Sequence, residues 1–483
     1  MDRLADSPLY QIMHPRSVAF WGASGNPMGM GSVQMSQLLR LGFQGAIYPI
    51  HPKEQEILGH TAYASVRDVP GPVDLAVLVL PTHVVPEVLE ECGQAGVKRA
   101  IIVSAGFGEM GEDGRALQKQ LVDIARHYGM WFLGPNCIGV VHPNLKLNTT
   151  FYPYETKPGF VGIASQSGSF VTQMFSYLQS VGLGFSQGFS VGNEAMLDIV
   201  DCLEYLGHCP ETRVIALYIE AIRRGRDFIR VAREVSKKKP IVAYYVGGSK
   251  AGKKAGLSHT GAMAGPDLLY DGVFKQTAIT RAFSMEELFD YCWVLGTQPL
   301  PTGNHVAILT HSGGPGAAAA DSADRHGMEL SELSPETCAA LKEVVPATAS
   351  IANPVDLTFA RNFGDYLERI PGILLQDQAV NSLFIYCLMP HTRVVTSVFA
   401  DIEPERASQM AEEYIRSQCV AATKHSARFG KPVVGGTYCD RMEFFVRELR
   451  DRNFPLLPSP ERAVKALGAL TRYAAAREAL LKE

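Results

Sequence analysis

One imidazole in this chain sits where an imidazole can react. The stretch Gly256-Leu257-Ser258-His259-Thr260-Gly261-Ala262-Met263-Ala264-Gly265 surrounds His259 with small residues, and Gly247-Gly248-Ser249-Lys250-Ala251-Gly252-Lys253-Lys254 places lysines just before it. Small side chains let a backbone bend and let a bulky ligand approach. A lysine run draws phosphate, and histidine is itself an attacking group in covalent catalysis. A structural or merely exposed histidine is the competing reading. Glu220 bears on the choice. It ends the apolar run Val214-Ile215-Ala216-Leu217-Tyr218-Ile219, and the carboxyl end of a buried parallel strand is where site residues emerge. The next apolar run, Pro240 to Val246, leads into the His259 loop. Glu220 and His259 therefore follow consecutive strands at one sheet edge, where a carboxylate accepting the imidazole N–H orients the ring and raises its basicity. For Glu220 the competing reading is a solvent salt bridge.

Two further stretches are small-residue turns at helix starts. Ser165, Gln166, Ser167 and Gly168 follow the strand Gly159 to Ala164, and Ser312, Gly313 and Gly314 follow the strand Val306 to Thr310. Each opens a helix, whose first N–H groups can be capped by serine or can hold an anion. Capping alone is the simpler reading. A similar turn, Val191-Gly192-Asn193-Glu194, precedes another helix.

A third set belongs to the start of the chain. The strand Ser17 to Trp21 runs into Gly22, Ala23, Ser24 and Gly25, and then a helix, which is the opening of a Rossmann-like unit with a phosphate-suited turn. An NAD-binding unit usually ends its second strand in Asp or Glu for the ribose hydroxyls. Here the strand Ala46 to Ile50 ends in His51-Pro52-Lys53, and Lys53 favours an extra phosphate, as in coenzyme A or NADP. Pro81, Ser104 and Asn136 lie at later strand ends and complete the candidate cofactor-binding positions.

The elements that must position these residues are strand, small-residue turn and helix, begun afresh three times. At 483 residues the chain has room for about three domains. We expect an α/β protein with units at 1–150, 151–298 and 303–483, the last two separated by Gly296 to Gly303. Charge is close to balance at −4, which argues against a nucleic-acid partner held by bulk charge. No apolar run is long enough for a membrane span, and Met1-Asp2-Arg3-Leu4-Ala5-Asp6 does not read as a signal peptide. The nine cysteines form no CxxC or Cys/His ligand spacing, so we expect reduced thiols, no metal site and a cytoplasmic protein.

Taken together, these residues resemble the α subunit of acyl-CoA synthetase (nucleoside-diphosphate-forming, of the acetate–CoA ligase type), and more distantly that of succinyl-CoA synthetase. The resemblance runs through Gly22-Ala23-Ser24, His51-Pro52-Lys53, Gly134-Pro135-Asn136-Cys137, Ser165-Gln166-Ser167-Gly168, the Glu220 strand, Ser258-His259-Thr260-Gly261-Ala262, Ser312-Gly313-Gly314-Pro315-Gly316 and Asn353-Pro354-Val355-Asp356-Leu357. It implies a Rossmann-like CoA-binding domain followed by two flavodoxin-like ligase domains. It also implies that His259 is the phosphorylated histidine, that Glu220 holds it, and that Ser165–Gly168 and Ser312–Gly314 cradle the phosphoryl group. CoA, acyl-CoA and phosphate are the implied ligands. The family's ATP-grasp module has no counterpart in these three units, nor is there a Walker P-loop. ADP/ATP and Mg²⁺ are therefore expected on a partner β subunit, within a heterotetramer. Two other functions compete: a non-catalytic CoA or acyl-CoA-binding protein, and an NADP-dependent oxidoreductase that would leave the His259 loop idle.

Overall fold

The computed structural model describes residues 2–154, 158–249, 251–252, 265–358, 364–388, 396 and 402–483. His259 and the rest of 253–264 lie outside the described residues. The chain divides into two compact units, Met1–Met285 and Glu286–Glu483.

The first unit holds two sheets. In the first, β1 (Ser17–Trp21), β2 (Ala46–Ile50), β3 (Leu75–Leu78), β4 (Arg99–Ile102) and β5 (Trp131–Leu133) are all parallel, in the order β2-β1-β3-β4-β5. Every residue of β1 and β3 is buried, which is why β1 after Ser17 and all of β3 read as unbroken apolar runs. The connecting helices include α1 (Met30–Leu41), α2 (Val85–Gln94) and α3 (Glu112–Tyr128). Because β1 pairs with both β2 and β3, the winding reverses there, and a ligand crevice opens at such a switch point. Gly22 turns the chain out of β1 at φ +92°, and a Cβ on it would lie 1.9 Å from the Val79 carbonyl oxygen. Only glycine fits.

The second sheet contains β6 (Val140–His142), β7 (Leu147–Asn148), β8 (Val161–Ser165), β9 (Phe185–Ser190), β10 (Val214–Ile219), β11 (Ile241–Tyr245) and β12 (Thr280–Ala282), in the order β12-β11-β10-β8-β9-β6-β7. The first five in that order are parallel; β6 runs antiparallel to β9, and β7 to β6. Helices α4 (Gly168–Val181), α5 (Ile199–His208), α6 (Gly225–Ser236) and α7 (Asp267–Gln276) accompany it. A capping box formed by Asp198 and Asp201 starts α5, and Arg224 bonds both carboxylates. One apolar cluster joins the sheets, running from Val18, Phe20 and Met35 to Phe189, Leu203 and Ile215.

The strand β9 escaped the hydrophobic pattern because its buried face is partly polar. Ser186 Oγ bonds Thr212 Oγ1 at 2.7 Å, and Gln187 Nε2 lies 3.2 Å from His142 Nε2. These pairs let a Ser-Gln-Gly sequence be buried without orphaned groups at those atoms.

The second unit carries a six-stranded sheet: β13 (His305–Thr310), β14 (Glu329–Leu330), β15 (Val355–Asp356), β16 (Ser382–Tyr386), β17 (Val433–Gly436) and β18 (Leu456–Leu457). Its strands are parallel, in the order β14-β13-β16-β17-β18, with β15 also on β13. The helix α8 (Gly313–Arg325) follows β13, and the tail forms a long helix, α9 (Pro460–Lys482). Ser459 caps α9 by accepting the Arg462 N–H. Among the described residues no helix is long and apolar enough to cross a membrane.

Candidate functional site

A cavity of about 510 Å³ lies within the first unit, where strand ends of its two sheets meet. Val79, Leu80, Val103 and Ser104 supply the wall from the first sheet, and Asn136, Cys137 and Ile138 the link between sheets. Gln166, Ser167, Gly168 and Ser169 come from the start of α4, Asn193 and Glu194 from the turn after β9, and Glu220 from the end of β10.

The α4 turn is built around Ser165, which is fully buried. Its hydroxyl donates to the Ser167 carbonyl (2.9 Å) and accepts the Ser167 N–H (3.2 Å). Ser167 is the N-cap, and its own hydroxyl accepts the Phe170 N–H at 3.4 Å. Capping thus describes the side chains of this motif. Gly168 and Ser169 occupy the first two helical positions, whose N–H groups have no intrahelical partner. Both residues line the cavity, so the anion-suited groups are theirs.

Gln166 has a bracing geometry. Its Oε1 accepts the N–H groups of Glu220 (2.5 Å) and Ala221 (3.0 Å), while Nε2 donates to the Ala221 carbonyl (2.7 Å) and to Glu194 Oε2 (2.8 Å). The amide is saturated, and it ties the start of α4 to the Glu220 backbone. Glu220 is half-buried. Its relation to His259 lies outside the described residues.

The cofactor-binding candidates fall into two places. Ser104 and Asn136 line the cavity. The Ser104 hydroxyl bridges two strand ends, donating to the Leu80 carbonyl (2.6 Å) and accepting its N–H (3.1 Å). Asn136 adopts φ +58°, gives its N–H to the Ser104 carbonyl (2.8 Å) and its Nδ2 to Asn193 Oδ1 (3.2 Å). Pro81 follows the lining residue Leu80. Gly22, Ala23, Ser24 and Lys53 gather instead at the ends of β1 and β2. There Ser24 Oγ accepts the Asn26 N–H (3.3 Å), and Lys53 is exposed, with its backbone N–H on His51 Nδ1 (3.2 Å). Glu54 takes the Gly25 N–H at 2.7 Å, so a phosphate on that N–H must displace a carboxylate. Met30, the first residue of α1, reaches the cavity lining, which places the cavity beside this glycine turn.

Ser312, Gly313 and Gly314 lie in the second unit, in a turn of the same build. Thr310 Oγ1 donates to the Ser312 carbonyl (2.7 Å) and accepts its N–H (3.0 Å). Ser312 is the N-cap of α8, but its hydroxyl makes no cap bond, and Gly313 and Gly314 hold the first two helical positions. His311, just before them, packs on Tyr366 and Tyr386, and burial lowers its pKa.

Asn193, Glu194 and Glu109 were not among the expected site residues. Asn193 Nδ2 donates to a Glu109 carboxylate oxygen and to Gln118 Oε1 (3.0 Å), lacing the second sheet's turn to the segment before α3 and to α3 itself. Gly192 makes that lacing close. Its φ is +58°, and a Cβ on it would lie 2.3 Å from the Pro135 carbonyl oxygen. The visible signal was Gly192-Asn193-Glu194 after a strand. Among the described residues no cluster of His, Cys, Asp or Glu could hold a metal ion.

Three family models match the chain in succession: a CoA binding domain over residues 16–143, a succinyl-CoA ligase like flavodoxin domain over 158–295, and a Ligase-CoA domain over 306–480. Fold and matches define a CoA ligase of the succinyl-CoA synthetase type. The ADP-forming acetate–CoA ligase II subunit alpha of Pyrococcus furiosus is 39% identical over 96% of this chain and 97% of its own length. The ADP-forming 4-hydroxybutyrate–CoA ligase of Nitrosopumilus maritimus is 36% identical over 80% of this chain and 55% of its own length. The solved structure of the dinucleotide forming acetyl-coenzyme A synthetase 1 of Ca. Korarchaeum cryptofilum, in complex with phosphate and ADP, matches with a TM-score of 0.86 and 34% identity over 98% of each chain. The chain belongs to the family of α subunits of ADP-forming acyl-CoA synthetases.

Proposed function

We propose that this chain handles the acyl and phosphoryl groups in a reaction that interconverts acyl-CoA, ADP and phosphate with a carboxylic acid, CoA and ATP. Phosphate attacks the thioester carbonyl, CoA leaves as the thiol, and an acyl phosphate forms. An imidazole nitrogen of His259 then attacks phosphorus, the P–O bond to the acyl group breaks, and the carboxylate departs. The phosphoryl group passes from His259 to ADP on an ATP-grasp β subunit that also binds Mg²⁺, the two chains forming a heterotetramer.

The observation that carries this reading is the convergence on one cavity of Glu220, the Gly168 and Ser169 helix-start positions, and the Ser104 and Asn136 loops of the first sheet. Helix-start N–H groups stabilise phosphoryl oxygens without delivering a proton to the leaving nitrogen. Phosphoryl transfer depends mostly on such positioning and charge stabilisation. Ser312, Gly313 and Gly314 offer the same kind of N–H groups in the second unit. The apolar wall of Val79, Leu80 and Val103 suits the pantetheine arm of CoA, and Gly22 to Ser24 with Lys53 suit its phosphates. Radiolabelled acetyl phosphate, or labelled ATP with Mg²⁺ and the cognate β chain, should leave an acid-labile phosphate on the protein. His259→Ala should carry none; a label that survives this substitution refutes the assignment.

A further inference from the structure

Glu194 is a buried carboxylate on the cavity wall that the steps above leave unused. It is 8% exposed and sits at φ +53°, a backbone setting that a non-glycine residue rarely takes. Its carboxylate accepts the Gln166 Nε2–H (2.8 Å) and the Ile199 N–H that opens α5 (2.9 Å). The other end of the Gln166 amide holds the Glu220 and Ala221 N–H groups. Reversing that amide would put NH₂ against two N–H donors and a carbonyl against a carboxylate, so Glu194 fixes which end faces Glu220.

We infer that Glu194 is a positioning residue for Glu220, acting through Gln166 to hold the Glu220–Ala221 backbone in the setting that presents the Glu220 carboxylate to the phosphoryl-accepting imidazole. The inference rests on the reading of Glu220 as the group that orients His259. The charged groups around Glu194 come from each neighbouring element. Arg223, after β10, donates to the Glu194 carbonyl oxygen (3.3 Å). Asp198 and Asp201 stand at the start of α5, both paired with Arg224. Glu109 approaches from the first sheet through Asn193, and the Tyr270 hydroxyl of α7 accepts the Ile222 N–H nearby. Burial outweighs the bonds from Ile199 and Gln166 and the charge of Arg223, and the carboxyl is pushed up to about 7. Near neutrality it therefore passes from a donor-bearing acid to a two-oxygen acceptor, the form that suits both of its partners.

The test labels the full chain with radiolabelled acetyl phosphate: the P–O bond to the acetyl group breaks, an N–P bond forms on His259, and acetate leaves. Glu194→Gln should slow labelling by ~10-fold or more while the KM for acetyl phosphate moves by less than about threefold. The ratio of wild-type to variant rate should grow as pH rises through about 7. Gln166→Ala should show the same growing ratio, and in the double variant the two losses should not add. Should Glu194→Gln fail to fold, the Gln166→Ala profile decides alone. A ratio independent of pH, or additive losses, overturns the inference. A wild-type chain that takes no label, like the His259→Ala control, refutes the phosphohistidine reading and the inference with it.

Discussion

Gly192→Ala should loosen the first unit where its two sheets are laced together. A Cβ at this position would lie 2.3 Å from the Pro135 carbonyl oxygen and 2.5 Å from that of Asn136. Both neighbours are backbone, so neither can swing aside as a long side chain would. The same segment carries the Asn193 N–H bond to Pro135 (2.9 Å) and the Ala195 N–H bond to Gly134 (3.1 Å), which any parting of the loops would stretch. Overpacking costs roughly 1–3 kcal/mol and the left-handed backbone about 1–2 kcal/mol more for a residue with a Cβ, or about 2–5 kcal/mol together. For a unit the size of Met1–Met285 that lowers Tm by roughly 3–8 °C. Differential scanning calorimetry reads it directly. Gly225→Ala is the matched control, because nothing lies within 4 Å of its added Cβ. Gly192→Ala melting together with wild type and with Gly225→Ala would refute the close packing on which the cavity geometry depends.

Glu194 should also leave a mark on stability against pH. Its pKa is raised from 4.5 to about 7, so the folded state binds the proton more tightly. That contribution is complete below pH 4.5 and is lost as pH rises through about 7. Relative to Glu194→Gln, the wild-type unfolding free energy in urea should fall by about 3 kcal/mol across this window, and a constant difference would contradict it. Lys53→Ala should weaken CoA binding about fivefold at low salt, with less effect at high salt and none on phosphate binding. Isothermal titration with each ligand checks this, and equal CoA affinity in the variant would defeat the assignment.

Most of the sheet architecture was legible because buried parallel strands are largely apolar, as in Val214–Ile219 and in Val306 to Leu309 of His305–Thr310. β9 was not, since Ser186 and Gln187 find buried polar partners that no periodicity reveals. The antiparallel pair Val140–His142 and Leu147–Asn148 was too short to stand out. Glu220, Gln166 and Ser167 line the cavity, and their positions were legible because strand ends and helix starts announce themselves by composition. Sequence could not separate a ligand-facing residue from one that braces the ligand's neighbours. Ser165 and Gln166 illustrate this: their side chains are committed to the turn and to the Glu220 backbone. Glu194 was visible as a turn residue, but its link to Gln166 spans 28 positions and needs the fold.

The chain passes from the first sheet to the second through Gly134 to Gly139, and then contributes β6 and β7 to the second sheet's edge. The covalent crossing is itself part of the cavity wall, through Asn136, Cys137 and Ile138. The CoA-binding part is therefore not a cassette that can be lifted out. A cut after β7 takes two strands from its neighbour's sheet, and a cut before β6 severs the wall of the chamber. Shuffling this module between proteins without redesign would exchange the chamber along with it, so ligand preference and chain connectivity are inherited together.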